Sequence, residues 1–367
     1  MFGFLGENLR LAVVGKNSSF SILSSSRCIS SATNQHSLTV SYLINSSSFP
    51  PKSALIVSKN VYFETLTQPD SVFSLLKNHG FSQTQILELV QSHPKLLMCN
   101  PEEVLLPKLD FFNSIGLSTF DIAKHTLLLD RSLKSQIIPN FSFLKALIKS
   151  DEKTVAAINR CPFVLTLDCK RDMASKVNLL RENGVLESSI VTLVYYWPRI
   201  FSMNFDKVKS LVEEARDMGF DPSKRIFVAG VRSLKSMSKS TWEKKVDVYK
   251  RWNLSEADVL SAFRKVPEFM EISEDKIMGV MDLFVKKLDC ESSLIVKSPL
   301  IMTFSLEKRL IPRALVLEFL VSKGLVKKNY RGTNFFCCPE TTFLQRFVNH
   351  FEEASELLRL YGKKLSV

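Results

Sequence analysis

A short break, proline or a substitute followed by an apolar pair, returns seven times in this chain. It falls at Pro94, Thr126, Pro162, Pro198, Val231, Pro267 and Pro299, in steps of 32 to 36 residues. A period near 35 is the mark of a repeat array, in which each unit buries its apolar face against its neighbours rather than around a central core. The expected product is an elongated surface suited to a long ligand.

Independent columns keep the same period. Four residues before each break stand Val90, Ile122, Ile158, Val194, Phe227, Phe263 and Ile295, and three after it Leu97, Leu129, Leu165, Phe201, Leu234, Met270 and Met302. All are apolar, as core positions require. A second proline follows thirteen residues after three of the breaks, at Pro107, Pro139 and Pro312. A turn column runs through Gly80, Gly116, Ile148, Gly184, Gly219, Asn253, Asp289 and Gly324. Most of these residue types accept the left-handed backbone that ends a helix. Each repeat therefore reads as helix, cap, helix, break. Ile86, Leu89 and Val90 share a helical face that must stop before Pro94, and the next helix is expected to start near Pro107, where a missing N–H costs nothing.

The fold class expected is all-α. Twelve glycines in 367 residues are too few for a strand-and-turn protein of this size, and no apolar run is long enough to span a membrane. The expected organisation is a leader over 1–36, a degenerate first repeat and linker over 37–69, a repeat array over 70–332 and a capping helix over 333–367. The first 58 residues hold fifteen serines and four Lys or Arg against one acid, Glu7. That composition is the signature of an organellar transit peptide, with Arg27 in a plausible processing region. The leader and the family habit noted below point to the mitochondrion, with the chloroplast as the alternative.

Catalytic chemistry is absent from the sequence. No phosphate-cradling glycine loop, no nucleophile elbow and no H-E-x-x-H occurs, and the cysteines show no zinc spacing. A non-catalytic protein without metal or cofactor is expected.

Charge is concentrated. Residues 224–251 carry nine Lys or Arg against two acids, and 294–332 carry eight against two, out of a net +12 for the chain. Two such blocks on an array make a positive stripe, whose natural counterpart is a phosphate backbone. The residues expected to meet it are Lys235, Lys239, Lys244, Lys245, Arg251, Lys308, Arg309 and Arg313. Trp242, Val246, Tyr249 and Trp252 follow helical spacing and are expected to face the core, with Lys244, Asp247 and Arg251 on another face.

The segments LLKNHGFSQTQILELVQSHPKLL from Leu75, LLRENGVLESSIVTLVYYWPRIF from Leu179 and SMSKSTWEKKVDVYKRWNLSEADVLSAFRKVPEFM from Ser236 resemble the mitochondrial transcription termination factor family, mTERF, in its plant branch. The resemblance spans about Asp70 to Leu325, with a matching final helix from Glu340 to Tyr361. It implies a right- or left-handed superhelical solenoid whose basic concave path holds nucleic acid in an organelle. It also implies a role in transcription termination or initiation, intron splicing or ribosomal RNA maturation. The partner expected is double-stranded DNA or structured RNA, bound by a monomer. Tetratricopeptide and pentatricopeptide arrays share the period but lack the proline break. The competing reading is a protein-interaction scaffold whose concave face grips a helix without binding nucleic acid.

Overall fold

The computed structural model describes residues 38–326 and 333–362. The leader expected over 1–36 lies outside the described residues, as do Lys327, Lys328 and Arg331 of the second basic block. Among the described residues every secondary-structure element is helical. They form two compact units, one ending at Asp130 and one starting at Arg131. That division falls inside the stretch 70–332.

The repeat beginning at Cys169 shows the plan. A wide turn, Cys169–Ala174, leads into helix Ser175–Glu182, a left-handed residue at Gly184 (φ 80°) reverses the chain, helix Glu187–Tyr196 returns, and the tight 3-10 turn Pro198–Ser202 closes the repeat. Each first helix starts on its own cap. Asn100, Ser132, Asp168, Asn204, Ser238, Ser273 and Ser305, six or seven residues after the breaks, all accept a backbone N–H of the turn they open. Such a cap contributes about 1 kcal/mol by satisfying a donor that the helix itself cannot. The helix expected near Pro107 runs Leu106–Ser114 with Pro107 in its first turn, and the wide turn Pro101–Leu105, capped by Asn100, leads into it.

The turn column holds with one slip. Gly80, Gly116, Gly184, Gly219, Asn253, Asp289 and Gly324 all have positive φ, but the position expected at Ile148 falls on Lys149 (φ 56°). Ile148 is buried and stays in the helix, so the left-handed step passes to the next, exposed residue. Lys149→Gly should relieve about 1 kcal/mol of strain, read as a raised urea midpoint. An unchanged midpoint would mean that the turn carries no strain.

The two substitute breaks behave differently. At Thr126 the break persists, since Thr119–Lys124 stops and Leu127–Asp130 forms a separate turn. At Val231 it is lost, because valine keeps the N–H that proline lacks and Ile226–Ser236 runs straight through. The expected final helix is also divided. Glu340–Phe343 continues into the wide turn Leu344–Val348, and Ala354–Gly362 is a separate helix. A straight helix would place residues 343 and 361 about 27 Å apart. The rings of Phe343 and Tyr361 lie 5.2 Å apart instead, so the chain folds back to share one aromatic cluster.

Successive repeats are joined by polar side chains inside the core. A 3-10 turn ends in carbonyls with no partner of their own, and burying them unpaired is costly. The residue fourteen positions after the preceding break supplies the donor. Lys108 donates to the Leu129 carbonyl, Asn140 to Leu165 (2.8 Å), Lys176 to Phe201 (2.9 Å) and Lys245 to Met270 (2.7 Å). Arg313, at the same register, takes the carbonyls of Phe335, Phe336 and Cys338. All five are buried. Burial lowers the ammonium pKa of Lys108, Lys176 and Lys245. Val212 and Met281, both buried, fill the two remaining positions of the column.

Candidate nucleic-acid interface

The eight cations singled out in the sequence divide by surroundings. Lys235, Lys239, Lys244, Arg251 and Lys308 are exposed. Lys244 and Arg251 are seven residues apart, two helical turns, and so share a face, while Val246, Tyr249 and Trp252 turn inward as expected. Trp242 is half-buried, its ring edge-on to Phe263 at 4.9 Å. Lys239 lies in a groove of about 270 Å³ lined also by Glu214, Glu243 and Glu256, an acidic setting that repels phosphate.

The other three are withdrawn from the surface contacts. Lys245 spends its ammonium on Met270, and Arg313 is enclosed, with Glu340 at 2.9 Å and the Phe343 ring at 4.2 Å completing its partners. Arg309 is half-buried over Phe304 (3.8 Å) and donates to the carbonyls of Phe336, Cys337 and Cys338. The reason is register. These three face the adjoining repeat, whose unpaired carbonyls draw cations inward, and a count of charge along the sequence cannot separate them from solvent-facing neighbours.

A set of cations outside the eight singled out in the sequence lies at the breaks. Arg160, Lys265 and Lys297 stand two residues before a break proline, and Arg199 stands one after; all four are exposed. In the second compact unit the break turns touch in sequence, Pro162–Thr166 against Pro198–Ser202 and Pro267–Met270 against Pro299–Thr303. Ile226–Ser236 packs against both Glu187–Tyr196 and Pro267–Met270, between these two pairs. The cations therefore stand at breaks that pair with a neighbouring break within that unit. Two of them also join neighbouring repeats, since Arg160 donates to the Tyr195 carbonyl (3.1 Å) and Lys265 to the Val296 carbonyl (2.9 Å). Arg232, beside the position where the Val231 break is lost, is neutralised by Glu268 at 2.9 Å and Glu271 at 3.4 Å. Reading the positions two before and one after each break would have revealed this set from the sequence. Exposed Tyr196 puts an aromatic face beside Arg160.

The architecture of two helices and a proline-led 3-10 turn per repeat agrees with a comparison of families. The mTERF family model matches residues 73–282. The chain belongs to the mTERF family. An mTERF relative, "Transcription termination factor MTERF8, chloroplastic" of Arabidopsis thaliana, is 26% identical over 155 residues. That match covers 40% of this chain and 30% of the relative's length. Among the described residues of this mTERF protein, no helix is long and apolar enough to cross a membrane, and no cluster of His, Cys, Asp and Glu is placed to hold a metal ion.

Proposed function

We propose that this protein is a non-catalytic nucleic-acid-binding regulator of organellar gene expression, acting by occupancy of its target. The observation that carries the reading is that Arg160, Arg199, Lys265 and Lys297 are exposed, one cation at each of four breaks, on an mTERF array, and in this reading they form one edge. A polyanion laid along that edge meets a cation at each of these repeats, and neutralising several phosphates releases counterions. Lys235, Lys244, Arg251 and Lys308 are flanking contacts in this reading. The ligand is double-stranded DNA or structured RNA, bound by a monomer. Binding in a fixed register would halt polymerase passage or hold an RNA fold, which covers termination, splicing and maturation alike.

The Ser-rich, acid-poor leader supports delivery to an organelle, and the mitochondrion is the destination proposed. The chloroplast name of the Arabidopsis relative makes the plastid the alternative to be tested in parallel.

Purified protein should be retained on heparin at low salt and should carry nucleic acid that nuclease removes. Crosslinking in isolated mitochondria and plastids, followed by sequencing of the attached strands, identifies both compartment and target. Flow-through at low salt with no bound nucleic acid would favour the scaffold reading instead.

A further inference from the structure

Lys176 poses a question that its role in the core does not answer. It is 1% exposed, and burying a lysine is costly even when its bonds are good. Its two acceptors are backbone carbonyls, Asp172 and Phe201 at 2.9 Å each. The neutral Asn140 makes the equivalent link to Leu165, and Val212 fills the same register with no link at all. Packing alone does not demand a cation there.

The column makes sense when compared with the surface above it. Four of the five polar anchors hold a break that carries an exposed cation, Arg313 being the exception. Lys108 holds the turn after Lys124, Asn140 the turn after Arg160, Lys176 the turn bearing Arg199, and Lys245 the turn after Lys265. Where the register is apolar, another polar hold takes over. After Val212, Arg232 is pinned by Glu268 and Glu271. After Met281, Lys276 donates to the Thr303 carbonyl of the turn that follows Lys297. Arg199 is the second residue of the turn Pro198–Ser202, whose Phe201 carbonyl Lys176 holds, so its place depends on where that turn is held.

We propose that Lys176 is a positioning residue for phosphate binding: by clamping the Phe201 carbonyl it fixes the turn from which Arg199 meets the nucleic-acid backbone. Asn140 does the same for Arg160. The proposal rests on the nucleic-acid reading above and goes beyond it by coupling a buried side chain to one surface contact.

The test is a double-mutant cycle with Lys176→Met and Arg199→Ala in the full chain. Affinity for a nucleic-acid duplex is measured between 50 and 200 mM salt, and folding is checked by circular dichroism. Arg199→Ala should weaken binding about eightfold at 0.1 M salt and lower the salt slope by ~0.9. Lys176→Met should do the same, and the double variant no more than either single one. Additive losses in the double variant, or an unchanged slope in Lys176→Met, would overturn the proposal while leaving the nucleic-acid reading intact. Absence of binding by the unmodified protein would overturn both. Should Lys176→Met not fold, the cycle of Asn140→Leu with Arg160→Ala decides the matter by the same criteria.

Discussion

Replacing Arg313 by methionine is expected to cost the protein about 3–5 kcal/mol, the loss typical when one partner of a buried charged network is removed. The side chain is fully buried and serves three carbonyls, Glu340 and the Phe343 ring at once. Methionine fills comparable volume but leaves those carbonyls without a donor. The carbonyls belong to Phe335, Phe336 and Cys338, and the first two residues share an aromatic cluster with Phe284, Phe343 and Phe347. Urea denaturation should therefore show an early transition in which the C-terminal helices leave the array. Glu340→Gln makes the contrast, because Glu340 is half exposed and the three carbonyl bonds of Arg313 stay in place, so a smaller loss is expected. A loss below about 1 kcal/mol for Arg313→Met would mean that water reaches the carbonyls and that the residue is not the clamp described.

The second large effect is expected on binding. Changing Arg199, Lys265 and Lys297 together to glutamine should lower the salt slope of nucleic-acid affinity by about 2.7, which amounts to roughly 500-fold at 0.1 M salt if each cation neutralises one phosphate. All three are exposed, so the fold should survive. The weakening should be uniform across target sequences, because phosphate contacts carry no base information. The triple change of Lys244, Arg251 and Lys308 provides the comparison, and a smaller fall in slope is expected from those flanking positions. Should that triple instead produce the larger fall, the helix face bearing Lys244 and Arg251 would replace the break edge as the principal contact.

Much of the fold is legible in the sequence because proline and left-handed turn residues act locally. The breaks at Pro94, Pro162, Pro198, Pro267 and Pro299 all begin 3-10 turns. The turn column misses only by assigning to Ile148 what Lys149 does, a choice made by burial and thus by tertiary contacts. Val231 shows the converse. Its apolar pattern matches the break column, yet nothing in the backbone forces a break there, and the helix continues. The site is less legible than the fold. Lys244 and Lys245 are indistinguishable in composition, but adjacent helical residues point about 100° apart, so one faces water and the other a carbonyl of the next repeat. Only the register fourteen after the break separates them, and its meaning depends on knowing that the partner carbonyl is otherwise unpaired.

The internal clamps also bear on how repeat length varies. Lys108 reaches its carbonyl across 21 residues, whereas Asn140, Lys176 and Lys245 each span 25. The difference is close to one helical turn. Adding or deleting a whole turn returns every side chain to the face it left, so the clamp closes either way. A single inserted residue would rotate donor away from acceptor, which implies that this architecture tolerates growth and shrinkage in steps of a turn and resists anything smaller.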